Sequence, residues 1–256
     1  MAACRSVSVH LAPLLVAPDR LAGGVAVVID VLRATTTMVY ALAAGCPTIL
    51  PCGTIDEARA AADVLPAGKA LLAGERDGVP LDGFDLGNSP REFTPARCKG
   101  QTLVLTTSNG TRALLHAAPA ERVLVAAFAN FSAVCEQLKG ERRPMHIICA
   151  GDRGGVALED VLLAGALVDY LAGCVDVELD DGARLAWDGF EHHGRHLGEV
   201  LALTTGGVRL RSLGYDEDIR TAARIDVYHL VPELRRDPHR VEIAAVGITG
   251  PRWRMG

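Results

Sequence analysis

The stretch VVIDVLRATTTM, residues 27–38, ends an apolar run on a carboxylate, Asp30, then places Arg33 and three consecutive threonines, Thr35, Thr36 and Thr37, behind it. A carboxylate at the end of a strand can ligate a hard cation or attack as a nucleophile. An arginine can fork onto phosphate or sulfonate oxygens. Threonines at a helix start add hydroxyls and unpaired backbone N–H groups, which together make an anion cradle. β-branched residues are weak helix formers, so three in series call for a reason beyond propensity. The plain alternative is a threonine cap beside an incidental ion pair.

Two more loops repeat the pattern. In TTSNGTR, residues 106–112, Asn109 and Gly110 permit a tight turn, Thr107, Ser108 and Thr111 supply hydroxyls, and Arg112 follows. In AGDRGGVALED, residues 150–160, three glycines free the backbone, Arg153 can reach an anion, and Glu159 and Asp160 open the next helix. Acids in a first turn are favoured by the helix dipole without any function; the functional alternative is a metal ligand facing Asp30. Glu75, in GERDG at 74–78, is another acid at the end of a short apolar run. GFDLGNSPREFT, residues 83–94, reads as a loop wrapping a site or as a surface Ω-loop. His192 and His196 are spaced i, i+4, which suits a metal but more often marks a solvated helix face.

Several templates are absent. There is no GxxxxGK[ST], no GxGxxG after a strand, no HExxH and no GxSxG. The Asp-x-Asp pattern of haloacid-dehalogenase phosphatases fails, because Leu32 stands where the second aspartate belongs.

The elements that must position these loops alternate. Apolar β runs at 25–30, 102–107 and 146–150 each lead through a polar loop into a helical run, and weaker strands are expected at 47–50, 69–74, 122–127 and 241–247. Helices are expected at 55–65 with a cap at Thr54 or Asp56, after 130 with a cap at Asn130 or Ser132, after Leu158 as an element apolar nearly all round, and at 191–203 and 215–224. This order implies an α/β fold with mostly parallel strands covered on both faces, where ligands collect beyond the carboxyl ends of the strands.

Composition agrees. The chain has 256 residues, 49% hydrophobic and only 4% aromatic, which suits tightly packed α/β layers. A net charge of −5 with no basic stripe argues against a nucleic-acid partner. Seven cysteines without a CxxC pair read as free thiols in a cytoplasmic protein, and no run is long and apolar enough for a membrane span.

Taken together, IDVLRATTT, the GER segment, GFDLGNSPREFT, LTTSNGTRAL, CAG followed by LEDVLLAGAL, HGRHL and GYDEDIRTAARIDVYHLVP resemble the 2-phosphosulfolactate phosphatases (ComB-like proteins) from about residue 7 to 235. The resemblance implies a three-layer α/β/α fold of that family's own kind. It also implies a Mg2+-dependent phosphatase that converts 2-phosphosulfolactate to 3-sulfolactate and phosphate, a step of coenzyme M biosynthesis. The resemblance maps onto Asp30, Arg33, Asn109, Arg112, Glu159, Asp160 and the HGR at His193, Gly194 and Arg195. The third loop departs from the usual pattern by bringing in Asp152 and Arg153, so the reaction type carries over more securely than the substrate.

The resulting expectation has Asp30, Arg33 and Asn109 as catalytic residues. Asp30, Glu75, Glu159 and Asp160 form the candidate Mg2+ ligands. Thr35, Thr36, Thr37, Thr107, Gly110 and Thr111 hold the phosphoryl group, and Arg112, Arg153 and Arg195 hold the substrate's carboxylate and sulfonate. Direct attack by water and attack by Asp30 both stay open, with water favoured because no nucleophile template fits. Alternatives are a phosphatase for phospholactate or phosphoglycolate, or a non-catalytic binder of phosphorylated or sulfonated metabolites. The chain is expected to form a single unit, with two lobes near 1–140 and 141–256 sharing one site, and a homodimer.

Overall fold

The computed structural model describes residues 5–244. Its strands are β1 (Arg5–His10), β2 (Val25–Ile29), β3 (Thr48–Pro51), β4 (Ala70–Arg76), β5 (Val79–Pro80), β6 (Thr102–Thr106), β7 (Arg122–Ala126), β8 (Met145–Cys149), β9 (Val177–Leu179), β10 (Pro232–Arg235) and β11 (Arg240–Ile243). Its helices are α1 (Ala34–Ala43), α2 (Ile55–Asp63), α3 (Pro95–Cys98), α4 (Gly110–His116), α5 (Phe131–Lys139), α6 (Leu158–Cys174), α7 (Asp181–His193), α8 (Leu197–Leu203), α9 (Thr205–Ser212) and α10 (Asp216–Ala222). The strands join in the order β5-β4-β6-β3-β11-β10-β7-β2-β8-β1-β9.

Two parallel blocks make up this sheet. β7, β2, β8, β1 and β9 form one, and β3, β6 and β4 form the other. The β10–β11 hairpin joins them, antiparallel to β7 through Glu233 and Leu124 and antiparallel to β3 through Val241 and Ile49. Strands from before and after residue 140 therefore interleave in one sheet.

The period-2 alternation of β2 explains why helices cover both faces. Val25, Val27 and Ile29 pack into a core with α5, α6 and α7, while Ala26 and Val28 point the other way into a core with Met38 of α1 and Leu114 of α4. A strand buried on both faces needs no polar alternation, and β2 has none. The second core also holds Ile49, Leu103 and Leu105 of the other block, whose opposite face, at Val104, is closed by α2 through Ala58. The result is the expected three-layer α/β/α arrangement.

Local signals account for most boundaries. Thr54 caps α2 by accepting the Glu57 N–H at 3.1 Å. α6 is buried nearly all round and lies against α7, where a Cβ on Gly165 would meet Cβ of Phe190 at 2.7 Å. Asn130 sits at the start of α5 without capping it; its side chain instead bonds the Ala127 N–H and the Val125 and Leu230 carbonyls.

The carboxyl-terminal half departs from the sequence reading. The helix expected over 191–203 is broken: α7 ends at His193, a turn of 3-10 helix spans Gly194–His196, and α8 begins at Leu197. Gly194 lies so close to the Phe190 ring that a Cβ would approach it at 2.6 Å. Helix α9, capped by Thr204 on the Gly207 N–H, and strands β1, β9 and β10 were not anticipated. Residues 245–247 of the expected last strand, and Cys4, lie outside the described residues.

Candidate active site

Asp30 follows β2 and is buried. Its Oδ1 accepts the Ala34 N–H at 3.1 Å and its carbonyl accepts the Thr35 N–H at 3.0 Å, so this carboxylate caps α1. The Ala34 and Thr35 amides, two of the first-turn donors expected to cradle an anion, are thus already engaged. The threonine hydroxyls are too. Thr35 donates to the Asp30 carbonyl, Thr36 to the Val31 carbonyl and Thr37 to the Asn88 carbonyl, at 2.8, 2.8 and 2.9 Å. All three threonines are fully buried, and a buried hydroxyl must find an acceptor; the strand-to-helix turn supplies two of them and the 83–94 loop the third. The threonine run therefore builds the turn that aims Asp30 and has no free hydroxyl for a phosphoryl group.

The loop after β6 behaves similarly. Thr107 and Thr111 bond one another reciprocally, each N–H to the other's hydroxyl at 3.1 Å. Gly110 lies directly against Asp30: a Cβ there would meet Oδ2 at 2.6 Å and would also collide with Ala34. Only glycine allows this approach. The Ser108 N–H donates to Glu75 Oε1 at 2.7 Å, and the Gly78 N–H to Oε2 at 2.6 Å. Asn109 Oδ1 accepts the Arg153 N–H at 3.3 Å, and the residue lines the cleft.

Asp160 closes the opposite side. Its two oxygens accept the Val31 N–H at 2.8 Å and the Gly151 N–H at 3.0 Å, tying the loops after β2 and β8 together. Glu159 beside it is buried, and its Oε2 has no hydrogen-bond partner. Asn88 Oδ1 is likewise buried and unpartnered.

These groups line a narrow cleft of about 40 Å³, bounded by Asp30, Glu75, Asp77, Asp152, Glu159 and Asp160 against only two arginines, Arg33 and Arg209. Both arginines are already neutralised. Arg33 Nη1 donates to Asp218 Oδ2 at 2.7 Å and Nη2 to the Gly78 carbonyl at 3.0 Å, with its guanidinium 4.3 Å from the centre of the Tyr215 ring. Arg209 pairs with Asp152. Asp77 pairs with Arg153, which leaves Asp30, Glu75, Glu159 and Asp160 with no arginine of their own. Burial, only partly opposed by the Ala34 N–H and added to by the charges of Glu75 and Glu159, pushes the Asp30 carboxyl up to about 7. Burial also raises Glu159, and raises Asp160 well above the carboxylate range, where Asp30 and Glu159 add to the effect.

The donor set fits a hard divalent cation. Mg2+ takes oxygen ligands and keeps several waters, and the cleft presents buried carboxylate and amide oxygens, two of them unpartnered. Glu75 and Asp160 already hold two backbone N–H groups each, which leaves Asp30 and Glu159 with the freest oxygens. Among the described residues no group of three or more His, Cys, Asp and Glu side chains forms a preassembled metal cage, so waters would complete any shell.

The expected arginines separate. Arg112 and Arg153 line a second cavity next to the cleft, whereas Arg195 is exposed on the turn after α7 and borders neither. His192 and His196 are also exposed there. Sequence reasoning assigned no role to Asp218, Asn88 or Arg209, the partner of Asp152. Asp218 lies in the GYDEDIR stretch and Asn88 in GFDLGNSP, so both regions were flagged while the particular residues were not; Arg209 lies in no flagged motif.

Comparison with known proteins gives the family. A sequence model of the 2-phosphosulpholactate phosphatase family matches residues 11–237. A protein of Symbiobacterium thermophilum is 41% identical over 215 residues, covering 84% of this chain and 92% of that protein. One of Deinococcus radiodurans is 41% identical over 219 residues, covering 85% and 90%, and one of Caldanaerobacter subterraneus 36% identical over 209, covering 82% and 87%. Each is named a probable 2-phosphosulfolactate phosphatase. The chain belongs to the 2-phosphosulfolactate phosphatase family and is a phosphoric monoester hydrolase.

Proposed function

We propose that the narrow cleft hydrolyses the phosphomonoester of 2-phosphosulfolactate to 3-sulfolactate and phosphate with Mg2+, the chemistry that coenzyme M biosynthesis requires at this step. The observation that carries the reading is the set of uncompensated buried carboxylates with two orphaned oxygens, Glu159 Oε2 and Asn88 Oδ1, in one small opening. A phosphoryl dianion would be repelled there unless a cation lay between. That argument, with membership of a hydrolase family, favours an enzyme over a passive anion binder.

Asp30 and Glu159 would hold Mg2+, with Asn88 beside them, and Glu75 and Asp160 would fix the loops that carry them. When bound, the cation supplies charge neutralisation for phosphoryl transfer. The chain's own residues do the rest. Asp30 Oδ2, the oxygen that does not accept the Ala34 N–H, would be the one to ligate the cation. The Asn109 amide orients a phosphoryl oxygen by donating to it. The Arg33–Asp218 pair forms a rigid wall rather than a free cation.

The deciding assay is phosphate release from 2-phosphosulfolactate, beside 2-phospholactate and phosphoglycolate, in EDTA and after Mg2+ is restored. Metal-dependent release that favours the sulfonate is the expected result. Release without Mg2+ would remove the cation from the reading, and release without preference would remove the substrate. Hydrolysis of a phosphorothioate analogue chiral at phosphorus is expected to invert configuration, as a single in-line displacement by water does; net retention would replace direct attack by an aspartyl-phosphate route through Asp30.

A further inference from the structure

A second cavity of about 450 Å³ adjoins the narrow cleft and shares Asp77, Ser108 and Asn109 with it. That volume falls in the range of small-molecule sites. Its charge is of the opposite sign: Arg76, Arg112, Arg153 and His116 line it against a single carboxylate, Asp77. Arg76 is held in place, with Nη1 donating to the Glu75 carbonyl at 2.7 Å and Nη2 to Thr106 Oγ1 at 3.0 Å. Arg112 is exposed and has no hydrogen bond or ion pair among the described residues. Arg153 donates through Nε and Nη2 to Asp77 Oδ1 at 3.1 and 2.7 Å, and both partners are more than half exposed. An exposed pair of this kind is worth little and exchanges readily.

We propose that this cavity is the specificity subsite for the second strong acid of the substrate, the sulfonate remote from the phosphoryl group. Arg112 is its principal cation, and Arg153 is a reserve that leaves Asp77 when the anion arrives. The inference rests on the phosphatase reading and deepens it. The shared wall at Ser108 and Asn109 lets one small molecule place its phosphoryl group among the carboxylates and its sulfonate among the arginines. The sign change between the two compartments fixes which end enters which. Arg195, outside both cavities, has no part in it.

2-Phosphosulfolactate and 2-phospholactate differ only in the sulfonate and make a matched pair. In Arg112→Met, KM for 2-phosphosulfolactate is expected to rise on the order of 10–100-fold, the usual cost of a lost charged hydrogen bond, with kcat changed far less. The effect on 2-phospholactate is expected to be at least tenfold smaller, and Arg112→Lys is expected to recover part of the loss. Asp77→Asn is expected to lower KM for the sulfonated substrate by removing the competing carboxylate. Equal losses on both substrates, or a loss confined to kcat, would overturn the assignment while leaving the phosphatase reading intact. If the wild type hydrolyses neither compound, calorimetry with 3-sulfolactate decides the matter separately: binding lost in Arg112→Met supports the subsite, and equal binding in both proteins overturns it.

Discussion

Asp30 has two tasks that pull in opposite directions. As a cap it accepts the Ala34 N–H, and as an acid it shares a small buried space with Glu75, Glu159 and Asp160. Asp30→Asn keeps the cap and removes the charge. Turnover is expected to fall by at least about a thousandfold, while the metal-free protein becomes more heat-stable; phosphate release and a melting curve in EDTA check both. The pH dependence follows from the same residues. Asp30 is raised to about 7, and Glu159 and Asp160 are raised as well. Their folded forms therefore bind protons more tightly than the unfolded chain does. The associated stability is fully present below the ordinary carboxylate range and is lost as pH rises through about 7. In EDTA, Tm is expected to drop by roughly 5–10 °C between pH 5 and pH 8, with Mg2+ restoring most of it at pH 8. A flat profile in EDTA would show that the carboxylates are not crowded as described.

At the scale of elements, α10 is pinned to the site by one buried residue. Asp218 accepts from Arg33 Nη1 and from Ser89 Oγ, both at 2.7 Å, and so joins the loop after β2, the 83–94 loop and α10. Asp218→Ala strands the Arg33 guanidinium, which is only 3% exposed. Removing one partner of a buried pair typically costs about 3–5 kcal/mol, and urea denaturation is expected to show a loss of that order. Arg33→Met with Asp218→Leu is expected to recover much of the stability without recovering activity. The α6–α7 contact is equally intolerant, because Gly165 admits the Ala186 carbonyl and the Phe190 side chain. Gly165→Ala is expected to cost about 1–3 kcal/mol by overpacking, again measured by urea.

For the molecule as a whole, the two parallel blocks share one core. Ala26, Val28, Leu103 and Leu105 come from different blocks yet lie in the same apolar cluster, with α1 and α4 between them. Thermal unfolding is expected to be a single transition that Gly165→Ala and Asp218→Ala both shift, although one lies in the α6–α7 layer and the other at α10. Two separable transitions would show that the blocks unfold independently.

Much of this was legible in the residues themselves. The buried runs at 25–30, 102–107 and 146–150, each leading to a polar loop and a helix, determine an α/β sheet with ligand loops at its carboxyl ends, because strand and helix periods are local properties of the chain. The same locality puts Asp30 and Asn109 in the loops and Glu159 and Asp160 in the first turn of α6, and the order of motifs marks the family. Other features depend on partners distant in sequence. Arg33 read as a free cation until Asp218, 185 residues away, neutralised it. Three threonines read as anion donors until burial committed their hydroxyls to carbonyls. Arg195 and Arg112 have the same residue type, yet of the two it is Arg112 that lines the second cavity, because the turn after α7 leaves the first exposed and α4 carries the second to the site. Sequence determines which groups are available and where the chain turns. Tertiary structure alone decides which charges remain unpaired, since pairing depends on what the fold brings within a few ångströms.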